Sequence, residues 1–112
     1  MVNQGSELDR LFRALANESR RAMVAGLSGG DRTVGELAAP LEMTSPAVSK
    51  HLRILEDAGV VRRTVAGRTH HISLEARSLE PAMSWLHAHG ARWSSALDRL
   101  AARLDEEREA QE

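Results

Sequence analysis

The stretch Thr44-Ser45-Pro46-Ala47-Val48-Ser49-Lys50-His51-Leu52-Arg53-Ile54-Leu55-Glu56-Asp57-Ala58-Gly59 decides how the chain is read. It predicts a helix with two unlike faces. Val48, Leu52 and Leu55 recur at helical spacing, and Ile54 widens that apolar stripe. The other side carries Ala47, Ser49, Lys50 and Arg53, which are short or basic. Ser45 is placed to cap the N-terminus, with Pro46 at the first helical position, where a missing N–H costs nothing. Gly59 is placed to end the helix in the left-handed conformation. Small side chains let a helix approach base edges in a major groove, and a helix N-terminus attracts phosphate. Alone, the stretch also fits a surface helix of any small helical protein. Its neighbours separate the two readings.

Immediately upstream, Thr33-Val34-Gly35-Glu36 has the spacing of a capping box. It opens a short helix whose apolar face is Leu37, Ala38 and Leu41, with Pro40 near its end. Glu42-Met43 is a turn of the length that joins two helices in a helix-turn-helix, so residues 33–59 read as that motif with the second helix as the reader. Further upstream, Ser6 is placed to cap a helix over residues 6–17 with the stripe Leu8, Leu11, Phe12, Leu15 and Ala16. Met1 to Gly5 reads as a disordered start. Asn17 or Ser19 can cap a following helix carrying Arg20, Arg21, Ala22, Met23, Val24 and Leu27, which ends in Ser28-Gly29-Gly30-Asp31.

Beyond Gly59 the period changes from helical to alternating. Val60 to Val65 and Thr69 to Leu74 are β-prone runs, and Ala66-Gly67 followed by Arg68 reads as the turn between them. Residues 60–74 therefore predict a hairpin wing whose tip carries Arg63, Gly67 and Arg68, placed to lie along phosphates or in a minor groove. A plain structural hairpin with solvated arginines is the alternative. Residues 76–108 then predict a long helix. Leu79, Met83, Leu86, Gly90, Trp93, Leu97, Leu100 and Leu104 step alternately by four and three, a sustained heptad. Trp85 and alanines 82, 96 and 101 widen its apolar face. So long an amphipathic helix exceeds what one small core covers, which points to a second copy rather than to wrapping its own domain.

Composition narrows the function. The 112 residues suffice for one domain, 1–112, with a modest core. Net charge is −1, but Lys50, Arg53, Arg62, Arg63, Arg68 and Arg77 concentrate in the middle, whereas the segment from Asp98 to Glu112 is acidic on balance. That asymmetry suggests an anionic partner for the middle. The absence of cysteine excludes disulfides, thiolate metal sites and cysteine redox sensing. With no signal-peptide pattern and no apolar run of spanning length, the expectation is a cytoplasmic protein with no membrane association. No glycine-rich phosphate loop, nucleophile–base pair or paired-carboxylate site is recognisable, so no enzyme is expected.

With these parts in this order, the chain resembles the ArsR family of winged helix-turn-helix repressors, from Leu8 to about Leu104. Ser45 to Val61 is similar to the family's reading helix and its exit into the wing. Leu11 to Arg21 is similar to its opening segment, with Asn17-Glu18 where Asp-Pro is usual, and Ala66-Gly67-Arg68 matches the wing tip. The resemblance implies a mainly α fold with a small β-hairpin, and a homodimer joined through its N- and C-terminal helices. It implies binding to a palindromic promoter operator in double-stranded DNA, usually to repress. By motif position the DNA-facing residues would be Thr44, Ser45, Pro46, Ala47, Ser49, Lys50, His51, Arg53, Arg63 and Arg68, with His51 able to pack or touch a phosphate instead. The dimer interface would be Leu8, Leu11, Phe12, Met83, Leu86, Gly90, Trp93, Leu97 and Leu100. Many members sense metals through cysteines, absent here. Others pair Asp and His between the two last helices, where this chain has His87 and His89 but Leu100 and Arg103 in place of the second pair. Four ligands are needed and i, i+2 histidines diverge on a helix, so no metal and no cofactor is expected. A zinc-responsive repressor using His87 and His89, or a protein-interaction module built on the heptad helix, are the alternative readings. No effector can be named.

Overall fold

The computed structural model describes residues 4–111. The expectation for Met1, Val2 and Asn3 lies outside them. Ten elements follow in order: α1 (Gln4–Leu15), α2 (Glu18–Leu27), β1 (Arg32–Thr33), α3 (Val34–Ala38) with a 3-10 turn (Ala39–Leu41), α4 (Ser45–Asp57), β2 (Val61–Ala66), β3 (Thr69–Leu74), a second 3-10 turn (Ala76–Leu79) and α5 (Glu80–Ala110). The chain is mainly α with a small sheet, as the periodicities predict.

Local chemistry explains most boundaries. Asn17 caps α2, its side chain accepting from the Arg20 amide at 3.0 Å. Thr33 and Glu36 form the predicted capping box. The Thr33 amide donates to the Glu36 carboxylate at 3.0 Å, which holds that carboxyl below its usual pKa. At the end of α4, Gly59 takes φ +77 and its amide donates to the Glu56 carbonyl, while the Val60 amide donates to that of Leu55. This is a Schellman ending, sealed by Val60 against Leu55, both fully buried.

Several expectations are corrected. Thr44, not Ser45, caps α4: its hydroxyl accepts from the Ala47 amide, making Ser45 the first helical residue and Pro46 the second. Pro46 is tolerated there because the second amide has no intrahelical partner either. Helix α1 begins at Gln4 instead of at a Ser6 cap and stops at Leu15 instead of residue 17, because Asn17 is taken by the next helix. The predicted 76–108 helix is a 3-10 turn followed by α5. The hairpin is part of a three-stranded antiparallel sheet of order β1-β3-β2, because Arg32 and Thr33 pair with Ile72 and His71. Two residues are too few for an alternating pattern to show. The wing turn is Gly67-Arg68, flanked by the Ala66–Thr69 pair, with Gly67 at φ +64 as a two-residue hairpin turn requires. Arg63 is not at that tip. It sits in mid-strand, paired with Ile72.

The chain divides into two compact units, Met1–Ala82 and Met83–Glu112. The first holds the core: Leu11, Ala14, Met23, Leu27, Leu37, Val48, Leu52, Leu55, Val60, Val61 and Ile72 come from every helix of that unit and both long strands. The reading helix thus has its predicted apolar stripe, Val48, Leu52 and Leu55, in the core of that unit. Leu11 is also buried here, so its side chain serves its own core and not a surface, while Leu8 and Phe12 are half-buried against the same cluster. The second unit is the body of α5. Its heptad residues Met83, Leu86, Trp93, Leu97, Leu100 and Leu104 are exposed in the single chain, Met83 and Leu97 by 67% and 63%. Trp85, His89 and Trp93 form an aromatic ladder at i, i+4, i+8, with neighbouring ring centroids 4.9 and 5.9 Å apart.

Candidate nucleic-acid interface

The outer side of α4 follows from the burial of its inner side. With Val48, Leu52 and Leu55 turned into the core, Thr44, Ser45, Pro46, Lys50 and Arg53 are exposed and Ala47 and Ser49 half-exposed. The turn ahead of α4 aims it: Glu42 closes the 3-10 segment at φ +52, a left-handed conformation uncommon for a residue with a Cβ.

Two hollows flank this face. One, about 390 Å³, is lined by Thr33, Val34 and Gly35 at the start of α3, Ser45 and Ser49 of α4, and Arg63, Arg68, Thr69 and His70 of the wing. The other runs along Pro46, Ser49, Lys50, Arg53, Glu56 and Arg63. Ser49 and Arg63 are common to both, so the start of the reading helix and the wing edge a single surface. Arg68 is exposed at the wing turn. Of the ten residues predicted to meet DNA, Ser45, Pro46, Ser49, Lys50, Arg53, Arg63 and Arg68 line these hollows. Thr33, Val34, Gly35, Thr69 and His70 join them without having been predicted. Only the pairing of β1 with β3 brings residues 33–35 near residues 69–70, and no local pattern encodes it.

Two predicted residues are engaged within the protein. Arg63 donates from Nε (3.0 Å) and Nη2 (2.6 Å) to the Glu56 carboxylate and from Nη1 to His70 Nδ1 (3.1 Å), and its side chain is only 22% exposed. It links β2 to both α4 and β3. His51 accepts at Nδ1 from the Arg20 guanidinium at 3.2 Å. Burial, and then the charges of Arg20 and Lys50, lower its pKa below the usual histidine value. His51 packs rather than turning outward. Arg20 also donates to the Ala14 and Arg13 carbonyls, at 2.6 and 3.0 Å, and Arg21 to the Leu15 carbonyl at 2.8 Å. These donors join the Ala16 amide, which donates to the Arg13 carbonyl, in satisfying the last carbonyls of α1, and Arg20 through His51 ties that end to the reading helix. The signal for this was present: two arginines, five and six residues beyond a helix end.

His87 and His89 are two residues apart on α5, and His89 lies against the rings of Trp85 and Trp93. Among the described residues no group of three or more His, Asp or Glu side chains is placed to hold a metal ion. No helix among them is long and apolar enough to cross a membrane.

Comparison with known proteins agrees with this geometry. A helix-turn-helix domain family matches residues 15–64. The HTH-type transcriptional regulator Rv2034 of Mycobacterium tuberculosis is 37% identical over 99 residues, which span 88% of this chain and 90% of that protein. The transcriptional repressor SdpR of Bacillus subtilis is 30% identical over 79 residues, 70% of this chain and 88% of the repressor. Among solved structures, an ArsR family transcriptional regulator, RHA00566, superposes with a TM-score of 0.75 at 36% identity, covering 85% of this chain and 98% of that one.

Proposed function

The chain belongs to the ArsR family of winged helix-turn-helix transcriptional regulators, and from that premise we propose that it is a homodimeric repressor of a palindromic promoter operator. It is a DNA-binding regulator and not an enzyme. The observation that carries the finer reading is the joint surface of α4 and the wing. Small polar groups stand at the helix start, Ser45 and Ser49, flanked by the cations Lys50, Arg53 and Arg68. In a major groove the cations would meet phosphates and supply most of the affinity, while the short polar groups would select bases. The cytoplasm is where such a regulator would work.

The exposed seam of α5 supports the homodimer. Met83, Gly90, Leu97 and Leu104 form one set of its heptad positions, and Leu86, Trp93 and Leu100 the other. Antiparallel pairing of two copies matches Met83 with Leu100, Leu86 with Leu97, and Gly90 with Trp93. Each indole then faces the one seam position that lacks a side chain. Parallel pairing would set Trp93 on Trp93 and Gly90 on Gly90, a crowded layer beside a void. It would also place the acidic segment from Asp105 to Glu109 beside its copy. The interface as proposed therefore rests on Met83, Leu86, Gly90, Trp93, Leu97 and Leu100, with Leu8 and Phe12 as the part of α1 left at a surface.

The test is fluorescence anisotropy on the chain's own upstream DNA against a scrambled duplex, at several salt concentrations, with and without zinc. Tight, selective binding that weakens steeply with salt and ignores zinc is expected. Selective binding abolished by zinc would favour the zinc-responsive alternative through His87 and His89. Equal, salt-insensitive binding to both duplexes would favour an interaction module instead.

A further inference from the structure

Glu56, Arg63 and His70 form a hydrogen-bonded cluster at the edge of the reading surface. Glu56 belongs to the last turn of α4, Arg63 to β2 and His70 to β3. The carboxylate takes two of the arginine's donors, at 2.6 and 3.0 Å, which fixes the guanidinium plane. The third donor, Nη1, points at His70 Nδ1 from 3.1 Å. An arginine N–H can only donate, so Nδ1 is the acceptor and the ring carries its proton on Nε2. His70 lines the hollow shared by Ser45, Ser49 and Arg68. What the ring has to offer that hollow is therefore a hydrogen-bond donor.

We propose that His70 is a DNA-contacting residue whose Nε2–H donates to an acceptor on the bound duplex, and that Glu56 and Arg63 position it. Arg63 is then a positioning residue and not a phosphate contact. This rests on the DNA-binding reading of the same surface. The acceptor is an oxygen or nitrogen of DNA: a phosphate oxygen, or a base edge such as guanine O6 or N7.

Glu56 gives the proposal a sign. If Arg63 were a phosphate contact, Glu56 would compete with DNA for it, and Glu56→Ala would free a cation, remove an anion and tighten binding. If Arg63 positions His70, the same change loosens the ring and weakens binding. His70 offers a second discrimination. In His70→Asn the side-chain oxygen replaces Nδ1 and keeps the bond to Arg63, but the Nε2 donor is gone. In His70→Gln the amide nitrogen replaces Nε2 and keeps the donor.

The experiment uses the full chain and a duplex selected from random-sequence DNA by the wild-type protein, with anisotropy at several salt concentrations and thermal midpoints for every variant. His70→Asn should weaken binding about tenfold with an unchanged midpoint, and His70→Gln should recover most of that. Glu56→Ala should weaken binding, and its effect should largely vanish in the His70→Asn background, because both act through one donor. A loss uniform across duplex variants assigns the acceptor to phosphate, and a changed preference at one base pair assigns it to a base. Tighter binding by Glu56→Ala, wild-type binding by His70→Asn, or strictly additive effects would each overturn the proposal while the regulator reading stands. Absence of salt-dependent binding by the wild-type chain would overturn both.

Discussion

Arg68 and Ser49 line the same hollow and differ in what they can read. An exposed guanidinium at the wing turn meets phosphates, which are the same in every sequence. A hydroxyl on the reading helix meets base edges, which are not. Arg68→Ala should weaken binding to all duplexes alike and lower the salt slope by about 1, measured by anisotropy against salt. Ser49→Ala should reorder preferences among operator variants in the same assay. Equal scaling of every variant by both changes would contradict this division. At the same scale, His51 makes folding pH-dependent. Its folded pKa lies below its unfolded one, near 6.5, so the unfolded chain binds the extra proton first. The stability that depends on His51 staying neutral, because of its burial and then of the Arg20 and Lys50 charges beside it, is complete above about pH 6.5 and is lost as pH falls from there through the folded value. Thermal midpoints from pH 7.5 to 5.5 should fall for the wild type and fall less for His51→Asn, which keeps an acceptor for Arg20 without a titrating ring.

Among the elements, α4 and α5 make opposite use of an apolar stripe. In α4 the stripe is wholly buried and holds the reading surface in place. Leu52→Ala should cost about 2–5 kcal/mol by chemical denaturation, and it should weaken DNA binding only in proportion to the fraction unfolded. In α5 the stripe is exposed, and in the proposed homodimer a second copy would cover it. The chain lacks cysteine, which makes cross-linking a clean test of the antiparallel dimer. Met83→Cys and Leu100→Cys chains should form a disulfide when mixed but not separately, because like positions lie about 26 Å apart along antiparallel helices. Self-cross-linking of either variant alone would mean a parallel pair. A sedimentation dimer without cross-links would place the interface on another element.

At the scale of the whole molecule, a homodimer turns one surface into two related by a twofold axis. The reading helices would then enter successive major grooves about 34 Å apart. Lengthening the spacer between half-sites by about five base pairs rotates one half-site to the far side of the duplex, and in anisotropy titrations it should weaken binding by at least tenfold. A monomeric reader would be insensitive to the insertion.

Much of this was legible locally. Helix caps, the heptad, the Gly59 ending and the Val48–Leu52–Leu55 stripe depend on residues within a turn or two of each other, so spacing alone reveals them. The order of elements followed from those local signals, and the family from the resemblance carried by Ser45 to Val61, Leu11 to Arg21 and the wing tip. What the sequence could not disclose depends on residues distant in the chain becoming neighbours. The pairing of Arg32 and Thr33 with β3 rests on two residues without a pattern. Leu11 matched a surface stripe until packing claimed it for the core. Arg63 looked like a free cation, and packing was left open for His51 without a partner named, because a side chain's charge is written in the sequence but its partner is not. Seven residues separate Arg63 from both Glu56 and His70, and thirty-one separate Arg20 from His51. The sequence determined which faces are apolar and which side of one helix could approach DNA. Tertiary structure alone decided which of the cations there remain free to do so, because a guanidinium satisfied by a carboxylate has few donors left for phosphate.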